Sequence, residues 1–225
     1  MKSIKLAAAL GLGIALSACG ASDVVTRDAP LSGATTIAPV AFAATPPADA
    51  AQQIAQRINV AQININVPRR LRVSEANIYY PLSDIVWRGD VMGDRYSQIT
   101  AIFEDAFASG TAKFDGPVPV IVEAEIERFH SLTEKARYTT GGVHNIIFKL
   151  QLRDARTGAL LSAPRRIEAS LKGFGGSMAI AADARGETQK VRITQHLAGV
   201  IAQELVRPEG YTDAAAGFFA ASGNI

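Results

Sequence analysis

Two stretches of alternating sequence constrain the fold of this chain more than any other feature. Val120, Val122, Ala124 and Ile126 are separated by Ile121, Glu123, Glu125 and Glu127, and further on Ile146, Phe148, Leu150 and Leu152 are separated by Asn145, Ile147, Lys149 and Gln151. A period of two sends successive side chains to opposite faces of a strand. If the stretches run antiparallel about a centre near Arg137, Val122 faces Leu152, Ala124 faces Leu150 and Ile126 faces Phe148, while Glu125 meets Lys149 on the other face. One register satisfies both faces, and a slip of one residue would invert them. Such a sheet needs a cover on one side only.

The covers are legible as helices. Asp94 stands as an N-cap before Ile99, Ile102, Phe103, Ala106 and Phe107, which recur at helical spacing, and Gly110 reads as the stop. A second helix is predicted from about Glu187 to Val206, with Val191, Leu197, Ile201 and Leu205 on one face and Pro208 and Gly210 after it. Ile63, Ile65 and Val67, resumed by Leu71 and Val73 beyond Pro68, read as an interrupted strand at a sheet edge, because proline cannot donate to a ladder. Glu75 to Gly93 reads as irregular. Past a turn at Asp154 to Gly158, where glycine suits positive φ, Ile167, Ala169 and Leu171 make a third strand after the helix. Gly173-Phe174-Gly175-Gly176-Ser177 lacks the spacing of a phosphate-binding loop and is expected to be mobile. The order strand, helix, three strands, helix implies an α+β two-layer sandwich: a mostly antiparallel sheet with two helices on one face, spanning residues 59–207.

The start of the chain carries an address. Lys2 and Lys5 precede an apolar run from Leu6 to Leu16, too short for a spanning helix of about 20 residues. The run ends in Leu16-Ser17-Ala18-Cys19, which resembles the signal of bacterial lipoproteins. The resemblance implies a signal peptide over 1–18, acylation of Cys19 and an N-terminal lipid anchor, and Gly20 rather than Asp after Cys19 resembles lipoproteins sent to the outer membrane, facing the periplasm. Residues 19–58 hold Pro30, Pro39, Pro46 and Pro47 among Ala, Thr and Ser, without periodicity, and are expected to be a disordered tether. As a flexible coil of roughly 40 residues it would reach on the order of 35 Å. Residues 208–225 read as a frayed tail. The chain has 23 Lys+Arg against 21 Asp+Glu, but both surplus lysines lie in the leader, so the remainder is balanced and a nucleic-acid partner is not indicated. Cys19 is the one cysteine, so no disulfide is expected.

No catalytic motif is present, and neither an enzyme, a metal site nor a cofactor is expected. His130 and His144 would face each other across the hairpin, but a zinc site needs three or four ligands, and no third lies nearby. Glu123, Glu125 and Glu127 share a strand face, where charge keeps sheets soluble. The residues that stand out are Arg69, Arg70 and Arg72 around the first strand, with Tyr79, Tyr80, Trp87 and Arg88 before the first helix. Arg, Tyr and Trp are the types enriched at interface hot spots, so these seven form a candidate partner surface; the aromatics alternatively cover the open sheet edge. On the surface reading, Trp87→Ala should abolish partner capture and leave stability nearly unchanged.

Val73-Ser74-Glu75-Ala76-Asn77, Asp84-Ile85-Val86-Trp87-Arg88-Gly89-Asp90, Gly93-Asp94-Arg95, Thr133 to Tyr138, Gly141 to His144 and Thr188 to Arg192 together resemble an uncharacterised family of proteobacterial outer-membrane lipoproteins. More remotely, the element order is similar to that of auxiliary lipoproteins of ABC-type transport systems. These resemblances imply a non-enzymatic binding or assembly component of a cell-envelope complex, with an envelope protein as partner, in the second case auxiliary to a lipid or solute transporter. The alternative is a binder or shuttle of an apolar ligand, which would need an open pocket lined by Phe103, Phe107, Phe148 and Leu197.

Overall fold

In the computed structural model of the chain, residues 57–207 and 210–212 are described. Cys19, the leader, the tether up to residue 56 and the tail beyond 212 lie outside the described residues.

The predicted hairpin is the spine of the molecule. Strand β3 (Val118–His130) and strand β4 (Gly142–Asp154) pair antiparallel, with Val122 opposite Leu152, Ala124 opposite Leu150, Ile126 opposite Phe148 and Glu125 opposite Lys149. A bulge between Ile126 and Arg128 inserts Glu127 and shifts everything beyond it by one place. His130 therefore stands opposite Asn145, not opposite His144 as strict alternation predicts. The bulge also turns Phe129 into the core in place of Arg128.

β1 (Ile58–Asn66) lies on the outer side of β3 and runs parallel to it, whereas the shorter β2 (Ile85–Val86) pairs parallel with the last residues of β3. The parallel pairing follows from connectivity: helix α1 (Arg95–Thr111) stands between β1 and β3 in the chain, and parallel neighbours need such a crossover. The third predicted strand is split into β5 (Arg165–Glu168) and β6 (Leu171–Gly173), and both keep a single register along β4. The six strands form one sheet with order β1-β3-β4-β5 along its main path, three of its five pairings antiparallel.

Asp94 caps α1, its Oδ1 accepting from the backbone N–H groups of Tyr96 and Ser97. Gly110 does not stop this helix, which runs on to Thr111. A Cβ at Gly110 would run into the carbonyl of Ala198, so the glycine lets α1 touch helix α4 (Gln189–Val206). Between them in the chain are the four-residue α2 (Glu134–Arg137) and a helix the sequence reading missed, α3 (Ser177–Ala184). α3 has no periodic apolar stripe; only Ala179 and Ala182 are buried. Nor does the glycine segment before it stand apart as a loose loop, since Gly175 packs so closely on Gly141 that neither leaves room for a side chain.

α1 and α4 cover one face of the sheet. Ile99, Phe103, Ala106, Ile193, Leu197 and Ile201 close over Val122, Ala124, Ile126, Phe148 and Leu150, all buried. Phe103 meets Phe148 edge-on at 5.3 Å between centroids and Phe107 at 5.6 Å, the arrangement aromatic quadrupoles favour. The result is the expected α+β two-layer sandwich.

Candidate functional site

One end of the sheet, where β3 finishes and β4 begins, is built unlike the rest. The segment Glu75–Gly93 crosses it, and α2, α3 and the first turns of α1 and α4 meet it there. Arg95 at the start of α1 is 4% exposed and grips Glu75 at both oxygens, Nε to Oε1 at 2.6 Å and a terminal nitrogen to Oε2 at 2.9 Å. It also donates to the Val91 carbonyl at 3.1 Å and to Gln98 Oε1 at 2.7 Å. Arg88 donates to the Glu75 carbonyl at 2.8 Å and pairs with Glu134 on α2. The hydrogen bond from Arg95 holds the Glu75 carboxyl below its ordinary range and raises Arg95 in return. Bidentate pairs of this kind fix geometry as well as charge.

Trp87 is fully buried. Its indole N–H donates to Asp90 at 2.9 Å, its ring meets Phe129 edge-on at 5.6 Å, and Asp90 accepts from Lys190 on α4 at 2.9 Å. Gly89 lies against the ring, where any Cβ would collide with it. Further bonds pin the backbone of the segment: Thr133 donates to the Ile78 carbonyl and Ser131 to that of Val86, each at 2.8 Å, while Ser83 donates to that of Arg72.

On this clamped base the apolar side chains point outward. Leu82 is 87% exposed, Val91 86% and Met92 78%. Ile78, Tyr79 and Tyr80 are about half exposed, as are Tyr138 after α2 and Met178 and Ile180 on α3. Leu160 and Leu161, also exposed, lie by the last residues of β4 at the opposite end, and Val191, expected on the inward face of α4, is 38% exposed, its place on that face taken by Ile193. Beneath the pole, Leu132, His144, Phe174, Gln189 and Arg192 are among the residues that close on a cavity of about 10 Å³, room for one water. Burial, reinforced by Arg192 and Arg137, drives His144 down to about 3.

Residues 58–221 match a protein family of unknown function. The chain belongs to DUF6778. No curated protein matches it. Solved structures similar to this DUF6778 chain include a candidate lipoprotein of Caulobacter crescentus, 14% identical, TM-score 0.33, covering 71% of this chain and 94% of that one. A DUF330 protein of Xanthomonas campestris is 14% identical with TM-score 0.38, covering 67% and 86%. The PelC dodecamer of Paraburkholderia phytofirmans is 11% identical with TM-score 0.31, covering 69% and 89%.

The seven residues singled out in the DUF6778 sequence separate by depth. Arg69, Arg70 and Arg72 are exposed, pairing at the surface with Asp94, Glu125 and Asp84. Tyr79 lies under the Lys135 ammonium and Tyr80 stacks at 5.0 Å on His130, both at the apolar pole. Trp87 and Arg88 do not join them: Trp87 is core, and Arg88, about one-fifth exposed, is spent on Glu75 and Glu134. The indole N–H needed a buried acceptor, and Asp90 three residues on supplies it.

On the open sheet face Glu123, Glu125 and Glu127 line up as expected. The pairing there differs in detail, Lys149 binding Glu127 at 2.9 Å whereas Glu125 binds Arg70 at 2.7 Å. A trough of about 380 Å³ crosses this face between Asn64, Asn66, Glu123, Glu125, Lys149 and Gln151. Arg153 and Gln151 hold Glu123 low, and Lys149, with help from Arg166, does the same for Glu127, so these carboxylates are ionised partners of cations. Among the described residues no group of three His, Cys, Asp or Glu side chains could hold a metal ion, and no helix is long and apolar enough to cross a membrane.

Sequence reasoning missed Leu82, Val91, Met92, Met178 and Ile180. A faint signal exists for the first three: each is a large aliphatic residue in polar turn sequence, Pro81-Leu82-Ser83 and Asp90-Val91-Met92-Gly93, with no periodic partner to bury it.

Proposed function

We propose that this chain is a lipoprotein of the bacterial envelope, anchored to the outer membrane through Cys19 and facing the periplasm, that works without catalysis as a binding and assembly component. The lipoprotein-like leader supports the address. The observation that carries the binding role is the clamped apolar pole. Soluble surfaces rarely keep large contiguous apolar patches unless they meet a partner, and here the exposed side chains stand on a base fixed by the ion pairs of buried Arg95 and largely buried Arg88, which lowers the ordering cost of docking. Tyr79 and Tyr80 belong to this surface, with Arg72 at its rim and Arg69 and Arg70 further along the edge. An accessory role beside a lipid or solute transporter is the specific form that the transport-system resemblance suggests.

The rival reading, an apolar ligand carried between α1 and the sheet, is disfavoured by packing: Phe103, Phe107, Phe148 and Leu197 are all fully buried against one another and their neighbours.

The test is intact-mass measurement of the protein taken from membranes, combined with a photo-crosslinking residue placed at Leu82 or, as a control, at Leu160. An acylated Cys19 and adducts formed from position 82 but not 160 are expected. An unmodified Cys19 overturns the anchor, and equal adducts from both positions, or none, overturn the docking pole.

A further inference from the structure

We infer that the apolar pole meets a lipid surface with anionic headgroups and seats its side chains among them. The inference rests on the docking role proposed for this pole and names its partner.

Shape is the first argument. Leu82, Val91, Met92, Tyr80, Met178 and Ile180 project from separate segments, three of them almost fully exposed, and the recess between Leu132, His144 and Phe174 under this pole holds no more than a water. A protein partner would need a separate pocket for each projection, whereas the fluid boundary between headgroups and acyl chains takes them without matched shape. Tyrosine is a residue type enriched at that depth.

Charge is the second. Glu75, Asp84, Asp90, Glu134, Asp183 and Glu187 at this pole all hold cations already. Lys135 and Lys172 form no ion pair with a carboxylate among the described residues, and Lys135 lies over Tyr79; Arg192, lower down, lies over Phe174, feels Glu187 and donates to the Lys172 carbonyl. The pole is thus apolar at its tips and cationic at its rim, the pairing that binds anionic bilayers.

Position is the third. Residue 57 adjoins the start of β3 and the pole adjoins its end; 13 residues at about 3.3 Å each separate the two by about 40 Å. A chain anchored through its N-terminal segment thus carries the apolar pole at the far end of its sheet.

The experiment uses the chain from residue 19 with Cys19→Ser, so that no acyl group contributes, and vesicles of equal parts phosphatidylglycerol and phosphatidylethanolamine. The protein should float with these vesicles. Leu82→Asp and Met92→Asp should each weaken partitioning roughly tenfold, the worth of one buried large apolar side chain. Lys135→Glu with Lys172→Glu should weaken binding and flatten its salt dependence, and Leu160→Asp should change nothing. Circular dichroism of each variant establishes that it is folded. Failure to float, or flotation indifferent to Leu82→Asp and Met92→Asp, overturns the inference. If position 82 instead crosslinks a protein in native membranes while the chain ignores vesicles, the lipid assignment falls and the docking role stands.

Discussion

The helix-covered face of the sheet and the segment Glu75–Gly93 are opposites in construction. In the first, Phe103, Phe107, Phe129 and Phe148 face inward, and charges such as Glu123 and Lys149 are kept to the open face on the other side of the sheet. In the second, Arg95 and much of Arg88 are inside, gripping the half-buried carboxylates of Glu75 and Glu134, and Leu82, Val91 and Met92 are outside. The covered face is stable because its apolar surface is removed from water. The segment is rooted in the core by Ile85, Val86 and Trp87, holds the rest of its shape by directed bonds, and leaves the apolar surface of Leu82, Val91 and Met92 unspent. That inverted pattern, firmly held, is what the docking role proposed above rests on.

The comparison breaks first if the core is not where the packing puts it. Phe103→Ala should lose about 3–5 kcal/mol in urea unfolding, and Trp87→Ala a similar amount; a loss under about 1 kcal/mol at Trp87 would return that ring to the surface and undo the contrast. Next comes the charged base. Arg95→Met leaves Glu75 with only the 3.5 Å contact to Arg88 and should cost about 2 kcal/mol, less than a fully buried pair because water reaches the carboxylate. Restoring stability with Glu75→Leu in the same chain would sharpen the point, since the cost lies in the under-paired charge.

A smaller effect is set by pH. His144 is neutral in the fold down to about 3, against 6.5 in the unfolded chain. Above pH 6.5 both states are neutral; below it the unfolded chain takes up a proton that the fold refuses, so stability falls with falling pH at no more than about 1.4 kcal/mol per unit. His130, also lowered by burial, acts in the same direction. The urea midpoint should therefore drop between pH 6.5 and 5.5, above the carboxylate range, and His144→Leu should flatten that drop; a wild-type midpoint constant over this window would mean His144 is solvated. Smallest of all, Leu82→Asp should move stability by less than about 0.5 kcal/mol while weakening vesicle binding, and a large loss of stability there would mean the tip is structural.

The contrast also explains what could be read in advance. Period-two alternation is local and strict, so the β3–β4 register was legible from Val122 to Ile126 and failed only past Glu127, where an extra residue enters without a signature. Asp94 declared itself as a cap because its side chain acts within three residues. Gly110 misled, since a glycine at a helix end and one at a helix contact look alike until the second helix is placed. The parallel course of β1 depends on where α1 returns the chain, and no residue in β1 encodes it. Of the candidate surface, Tyr79 and Tyr80 lie at the pole, but the pole itself is assembled from segments as far apart as Ile78 and Ile180, and such a juxtaposition exists only in three dimensions. Trp87 reads as exposed from sequence because it is an aromatic in an irregular segment; the Gly89 and Asp90 that follow it are what betray a ring folded inward.

The opposition of residue 57 and the apolar pole has a mechanical side. A pull between those two points runs along the strands. β1 would be drawn from its N-terminal end while β3 is held at its far end, so the ladder joining them along Ile58–Asn66 is sheared, with its hydrogen bonds sharing the load instead of opening one by one. A sheet strained this way yields late and all at once, so the anchor and the docking contact proposed above would load the fold in its most resistant direction.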